Sequence, residues 1–183
     1  MVLSAPSGSG KTTVLNELLK KERGAIRSIS VTTRPPRAGE RNGRDYRFVS
    51  RAWFEKARRR GAFLEWARIL DNRYGTLRAP VERALGRGKD VLMGVDIQGA
   101  RQIRAGRLPA VTIFLLPPSF AALRQRLRKR GTETARQIRD RLRLARRELK
   151  EVGRYDYAVV NDRVSEAVGN IRAILRAERC RQR

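Results

Sequence analysis

The sequence predicts an α/β fold built on a parallel central sheet, and three observations carry that expectation. Strand-length apolar runs alternate along the chain with amphipathic helical stretches. Two of those runs, at residues 91–95 and 111–116, are apolar almost throughout, as strands covered on both faces are. A Gly- and Ser-rich turn also joins the first apolar run to the first helical stretch, a strand–loop–helix order typical of such folds.

Residues 1–5 read as a short apolar strand. A helix over 12–21 follows, with Val14, Leu15, Leu18 and Leu19 on one face and Gly24 ending it. Alternation over 25–33 predicts a strand that Pro35 and Pro36 break. A short strand at 46–49, a helix near 52–60, a strand at 63–67 and a turn at 71–75 come next. Pro80 opens a helix over 80–87, stopped by Gly86 and Gly88. Strands at 91–95 and 111–116 lead to Ser119, a candidate cap for a helix over 120–130. A second amphipathic helix over 135–152, a strand at 158–160 and a closing helix over 164–179 complete the chain. The short strands and turns of 34–79 interrupt the rhythm and predict an inserted subdomain. No internal repeat or low-complexity linker is present.

A chain of 183 residues suffices for one compact unit. It contains no histidine, which excludes imidazole acid–base chemistry, Ser-His triads and His-ligated metals. The single cysteine, Cys180, excludes internal disulfides and cysteine-cluster zinc sites and fits a reducing compartment. No apolar run approaches the roughly 18–20 residues of a membrane-spanning helix. The first residues lack the apolar segment of a secretory signal. The expectation is a cytoplasmic protein with no membrane partner. Lysine and arginine number 43 against 18 acids, a net charge of +25, and 36 of the 43 are arginine. Such a field attracts polyanions, and the arginine fork grips phosphate bidentately, but charge runs are usually solvated faces and carry no sequence-specific nucleic-acid motif.

The most informative local pattern is SAPSGSGKTT at residues 4–13. It matches G-x-x-x-x-G-K-[ST] except at the first position, where Ala5 stands for Gly. Residues Ala5, Pro6, Ser7, Gly8, Ser9, Gly10, Lys11, Thr12 and Thr13 are thus candidates for a triphosphate site. Gly8 and Gly10 allow backbone N–H groups to turn inward as an anion nest, and the helix dipole adds to it. Lys11 can reach the β/γ-phosphates, and the Thr12 hydroxyl can join a Mg²⁺ shell. The loop alone leaves kinase, GTPase, ATPase and motor open. A second pattern, TTRPPRAGE at 32–40 followed by NGRDY at 42–46, places two arginines on a Pro-Pro turn with a tyrosine nearby. That is a candidate clamp for a second phosphate.

With these two patterns the ordered set FLEWA, YGT, VDIQGA, LLPPS, KRGTET, DRL and VVND resembles the guanylate kinases over nearly the whole chain. The resemblance implies a three-layer P-loop kinase fold with a parallel central sheet. The core would comprise 1–33, 80–124 and 148–183, the GMP-binding subdomain 34–79 and a helical lid 125–147. It implies transfer of the γ-phosphoryl group of ATP to GMP, with Mg²⁺ as cofactor and ATP and GMP as the partners. By motif position Arg34, Arg37, Tyr46 and Tyr74 would hold the GMP phosphate. Glu65, Ser30, Gly75 and Thr76 would line the guanine, and Asp96 the same site. Arg130 and Arg141 correspond to the lid arginines, and Asn161 to a position beside the adenine. With Lys11 and Arg37 these two arginines form the implied catalytic set.

The assignments have chemical sense. A carboxylate at Glu65 accepts from guanine N1–H and N2–H₂ together, whereas adenine inverts the pattern, so discrimination can reach ~10⁴. Hydroxyls at Ser30 and Thr76 can donate to O6. No general base is needed, because the acceptor phosphate is already ionised, and closure of lid and subdomain would exclude water. A kinase for another phosphorylated acceptor would lack Glu65, Tyr74 and Thr76, and a non-catalytic relative would be expected to have damaged the loop or lid. One departure stands out: Gly94, two residues before Asp96, occupies a position that is usually acidic in the family. Strand alternation would put an acid there beside Asp96, so a weakened outer metal shell is the expectation.

Overall fold

The computed structural model describes residues 1–69, 71–106, 108–129 and 134–182. In chain order the elements are β1 (Val2–Ser4), α1 (Lys11–Lys21), β2 (Ala25–Arg27), β3 (Val31–Thr32), β4 (Arg47–Phe48), α2 (Arg51–Arg59), β5 (Phe63–Ile69) and β6 (Asn72–Leu77). Then follow α3 (Arg78–Leu85), β7 (Asp90–Gly94), α4 (Ile97–Ala105), β8 (Thr112–Leu116), α5 (Phe120–Lys129), α6 (Ala135–Leu149), β9 (Tyr157–Val160) and α7 (Val164–Arg179). By internal contact the chain forms two compact units, Met1–Arg23 with Val111–Arg183, and Gly24–Ala110.

In the first unit β1, β8 and β9 run parallel, with Val2 opposite Thr112 and Ile113 opposite Tyr157. Their side chains are apolar because helices cover them; Val2, Leu3, Ile113, Phe114 and Leu115 are fully buried. Asp156 fixes the start of β9. Its carboxylate accepts from both the backbone N–H and the hydroxyl of Thr112, each at 2.7 Å. Helix α1 buries Val14, Leu15 and Leu18, the face its periodicity predicts. Helices α5 and α6 bury Leu123, Leu127 and Ala145 between them and turn most of their described arginines outward. Ser119 caps α5 as expected, accepting from Ala122 N at 3.0 Å, and Thr134 with Gln137 forms a capping box on α6.

In the second unit β2 and β7 pair in parallel, and a four-stranded sheet runs in the order β4-β3-β6-β5. Only its β3–β4 pair is parallel. Its core is Val31, Phe54, Ala57 and Phe63, with the Phe54 and Phe63 rings stacked at 4.5 Å. Ser50 starts α2 by accepting from Trp53 N at 3.1 Å.

Three expectations change. The alternating run 25–33 is two strands, because Ser28 N still donates to Leu92 O beside β7 while Ser30 O already accepts from Arg47 N near β4. Alternation is common to both, and partner choice, not local pattern, divides them. Residues 72–75 belong to β6 rather than a turn, since Ile69 pairs with Asn72 and Tyr74 with Ala67. Helix α4 has no counterpart in the expected elements, although Ile97, Ala100 and Ile103 sit on its buried face.

The two ends of the first unit's sequence are joined by Glu22. It follows α1, is buried, and accepts from Arg172 Nε at 2.7 Å and Arg179 Nη2 at 3.1 Å on α7. The bond from Arg172 chiefly holds its carboxyl below the usual carboxylate range, against the opposing effect of burial. A folded-state value below the unfolded one means that this stabilisation is present above the unfolded value. It is lost as pH falls through the folded one. Glu22→Gln is expected to cost about 1–2 kcal/mol near neutrality, because both arginines keep some water. Its melting temperature should also fall less steeply than that of wild type on acidification. Parallel acid limbs in thermal melts of the two proteins would contradict this role.

Candidate functional site

The loop between β1 and α1 has the geometry its glycines allow. Gly8 and Gly10 adopt φ of +93° and +89°, in the left-handed region, and Gly10 is the N-cap of α1. No side chain caps α1 and no acid lies in its first turn, so its positive end carries no counter-charge from the helix itself. Lys11 is half-buried at the helix start, and Thr12 and Thr13 are exposed beside it. The loop is braced from outside: a Cβ at Gly8 would meet Leu127 Cδ2 at 2.9 Å and Leu123 Cδ1 at 3.1 Å, both on α5.

Asn161, just after β9, is 2 % exposed and supports the loop from within. Its Nδ2 donates to Ser9 O at 2.7 Å, and a Cβ at Gly10 would stand only 2.5 Å from that nitrogen. Gly10 is therefore required twice, by φ and by space. Asn161 O in turn accepts from Arg126 Nη2 at 3.0 Å. The Asn161 amide thereby orients the Ser9–Gly10 peptide. Arg141, on α6, reaches the loop directly and donates from Nη1 to Ser7 Oγ. Arg130 lies outside the described residues.

In the second unit Arg34, Tyr46 and Tyr74 come together. The Arg34 guanidinium lies 5.6 Å from the Tyr46 ring centre, and the two tyrosine rings are 6.1 Å apart. Glu40, a residue the sequence reading passed over, organises the turn. Its Oε1 accepts from Arg34 Nη2 at 2.9 Å and its Oε2 from Arg37 N at 2.7 Å. That pairing raises the Arg34 pKa and holds the Glu40 carboxyl below its usual range. Burial pushes the Tyr46 hydroxyl above the usual phenol value. The Arg37 side chain is exposed on this turn. The signal for Glu40 was its spacing, three residues after Arg37.

Glu65 on β5 is 4 % exposed, and its Oε1 accepts from Thr76 Oγ1 at 2.6 Å on β6. Thr76 has one hydroxyl proton and Glu65 receives it, so in this arrangement Thr76 orients the acid rather than presenting a donor to a ligand. Gly75 is buried under Phe63, where a Cβ would approach Phe63 Cδ1 to 2.8 Å. Ser30 is half-buried between β2 and β3. Asp96 is the N-cap of α4, its Oδ1 accepting from Gly99 N at 2.7 Å. Strand β7 ends at Gly94, so strand alternation does not govern residues 94–96, and the Asp96 carboxylate serves the helix. This weakens the premise that an acid at position 94 would share its work. Among the described residues no three His, Cys, Asp or Glu side chains converge on a metal position, and no helix is long and apolar enough to cross a membrane.

A strand, a loop with two left-handed glycines and a helix opening on it define a P-loop nucleotide kinase fold. The guanylate kinase family model matches residues 1–178. The chain is 48 % identical over 183 residues to a guanylate kinase of Sphingopyxis alaskensis, covering all of this chain and 83 % of that protein. It is 46 % identical over 181 residues to one from Caldanaerobacter subterraneus subsp. tengcongensis, covering 99 % of this chain and 88 % of that protein. The crystal structure of guanylate kinase from Anaplasma phagocytophilum superposes with a TM-score of 0.82 at 37 % identity, covering 99 % of this chain and 86 % of that one. The chain belongs to the guanylate kinase family, whose members phosphorylate GMP with ATP to give GDP.

Loss of the Asn161 strut should be felt at the triphosphate. Asn161→Ala is expected to raise KM for ATP about tenfold, as one hydrogen bond's worth of positioning, with KM for GMP within about twofold of wild type. Steady-state kinetics with each substrate varied in turn checks it; an unchanged KM for ATP would show that the loop holds its shape without Asn161.

Proposed function

We propose that the two units divide the substrates of this kinase, the first holding ATP and the second GMP. The observation that carries the acceptor assignment is the buried Glu65 carboxylate, already oriented by Thr76. A buried acid with a fixed direction suits the paired N1–H and N2–H₂ donors of guanine and opposes adenine. Arg34, Arg37, Tyr46 and Tyr74 take the GMP phosphate, and the pinning of Arg34 by Glu40 supports a clamp whose geometry exists before the ligand arrives. Ser30, Gly75 and Asp96 line the same site. The residues 34–79 act as the GMP-binding subdomain, 125–147 as the lid, and 1–33, 80–124 and 148–183 as the core.

On the donor side backbone N–H groups of the loop 5–13, to which Pro6 contributes none, and the Lys11 ammonium hold the β- and γ-phosphates. Asn161, by motif position beside the adenine, also shapes the loop through its bond to Ser9 O. A GMP phosphate oxygen attacks the γ-phosphorus in line, the bond from that phosphorus to the ADP oxygen breaks, and ADP leaves with the bonding electrons. Lys11, Arg37, Arg130 and Arg141 neutralise charge on the phosphoryl group in flight, and no proton need be removed from the ionised nucleophile. The hydroxyl of Thr12, a hard oxygen donor beside the loop, fits Mg²⁺, which takes few protein ligands and completes its shell from phosphate and water. When bound, the ion would supply positive charge that offsets the negative charge of the phosphates. The reducing-compartment chemistry of a chain with one cysteine supports a cytoplasmic location.

A coupled assay for ADP formation with Mg–ATP and each of GMP, AMP, CMP and UMP tests the acceptor assignment. GMP is expected to be used at least a hundredfold better than AMP, and comparable use of AMP or UMP would overturn it. Lys11→Ala should abolish turnover yet keep GMP affinity, since Lys11 and the proposed GMP residues belong to different units. Calorimetric titration of GMP into the variant supplies the check.

A further inference from the structure

Position 99 poses a question that neither the loop chemistry nor the fold answers. It is the third residue of α4, it is buried, and its φ is not in the left-handed region. Glycine is the least favourable non-proline residue in a helix, so a glycine here with ordinary helical backbone is not explained by conformation. Its neighbours explain it. A Cβ built on Gly99 would fall onto Glu65 Oε2, and would lie 2.9 Å from Glu65 Cδ and 3.2 Å from Asp96 Oδ1. The slot left by the absent side chain is the place where the Glu65 carboxylate sits.

Nor can that carboxylate easily move aside. Its other oxygen is tied to Thr76 Oγ1 at 2.6 Å. Helix α4 cannot slide away from β5 without loss either, because Gln102, one turn beyond Gly99, pairs with the backbone of Trp66. Trp66 N donates to Gln102 Oε1 at 3.1 Å, and Gln102 Nε2 donates to Trp66 O at 2.6 Å. The residue adjacent to Glu65 is thus locked to the helix that carries Gly99. Asp96 closes the slot's other side, held by the Gly99 amide itself.

We infer that Gly99 is a specificity-positioning residue: by having no side chain it fixes where the Glu65 carboxylate stands, and so sets the enzyme's preference for guanine. This rests on the reading of Glu65 as the base-recognising acid. A side chain at position 99 pushes the carboxylate off the line of the two guanine donors. A displacement of about 1 Å from working geometry can cost about a hundredfold.

The experiment is steady-state kinetics of Gly99→Ala with GMP and AMP at saturating ATP. The expected result is a KM for GMP raised about a hundredfold and a reduced GMP-over-AMP preference. The kcat at saturating GMP should stay within about threefold of wild type and KM for ATP should be unmoved. A wild-type KM for GMP with wild-type base preference would overturn the proposal, as would an equal loss with both bases. Glu65→Gln separates the premise from the inference. If it leaves base preference intact, the reading of Glu65 fails. If it erodes the preference and Gly99→Ala does not, Gly99 alone is wrongly assigned. The double variant Gly99→Ala/Glu65→Gln should be no worse than Glu65→Gln, because Gly99 acts through that carboxylate, and multiplied losses would contradict it. Should Gly99→Ala fail to fold, Gly99→Ala/Glu65→Ala, in which the collision is gone, is expected to melt where Glu65→Ala melts; failure to recover would overturn the proposal.

Discussion

Phosphate can be gripped by backbone amides only where the chain is bent so that successive N–H groups converge, and that bend is what the first unit is arranged to hold. Two left-handed glycines create it, Leu123 and Leu127 of α5 press on it at Gly8, and Asn161 fastens the Ser9 carbonyl behind Gly10. The parallel strands β1, β8 and β9 serve the same end, because they bring the start of α1 and the end of β9 side by side at their C-terminal edge. Ligand sites in open parallel sheets form at that edge. Arg141 then reaches Ser7 from α6, so a helix far along the sequence is tied to the loop it serves.

In a chain with 43 basic residues the 18 acids are the scarce groups, and those that are buried or paired are organisers. Glu40 fixes the turn that carries Arg34 and Arg37, Glu22 joins α1 to α7, Asp156 fixes β9, and Asp96 starts α4. Glu65 accepts from the hydroxyl of Thr76, a neutral group that steers a carboxylate without cancelling its charge. Most of the arginines on α5 and α6 are by contrast exposed, and their contribution is a general positive field that favours anionic substrates and weakens with salt.

In the proposed guanine site the room beside the acid is smaller than a methyl group. The strand pair β5–β6 supplies the acid and the hydroxyl that steers it, α4 supplies the gap, and Gln102 keeps strand and helix in step. None of these groups is unusual on its own. Their effect comes from rigid mutual placement, which a packed interior provides and a loop would not.

The sequence by itself determined the fold class, the phosphate loop and the family, because these depend on local chemistry written in consecutive residues. Gly8, Gly10 and Lys11 act at fixed offsets along one turn, and the buried strands betray themselves by unbroken apolar runs. Ser119 and the helical face of α1 were legible for the same reason. Tertiary structure decided what depends on partners distant in the chain. The run 25–33 split in two because its halves pair with different strands, and alternation has no memory of which neighbour it meets. Helix α4 escaped notice because glycine at its third position weakens the helical signal, and that glycine answers to Glu65, thirty-four residues earlier. That Asn161 is buried and holds Ser9 O, and that Thr76 donates to Glu65, could be seen only in the folded chain. A side chain's chemistry is carried by its own residue, but the group it faces is fixed only when the rest of the chain has packed around it.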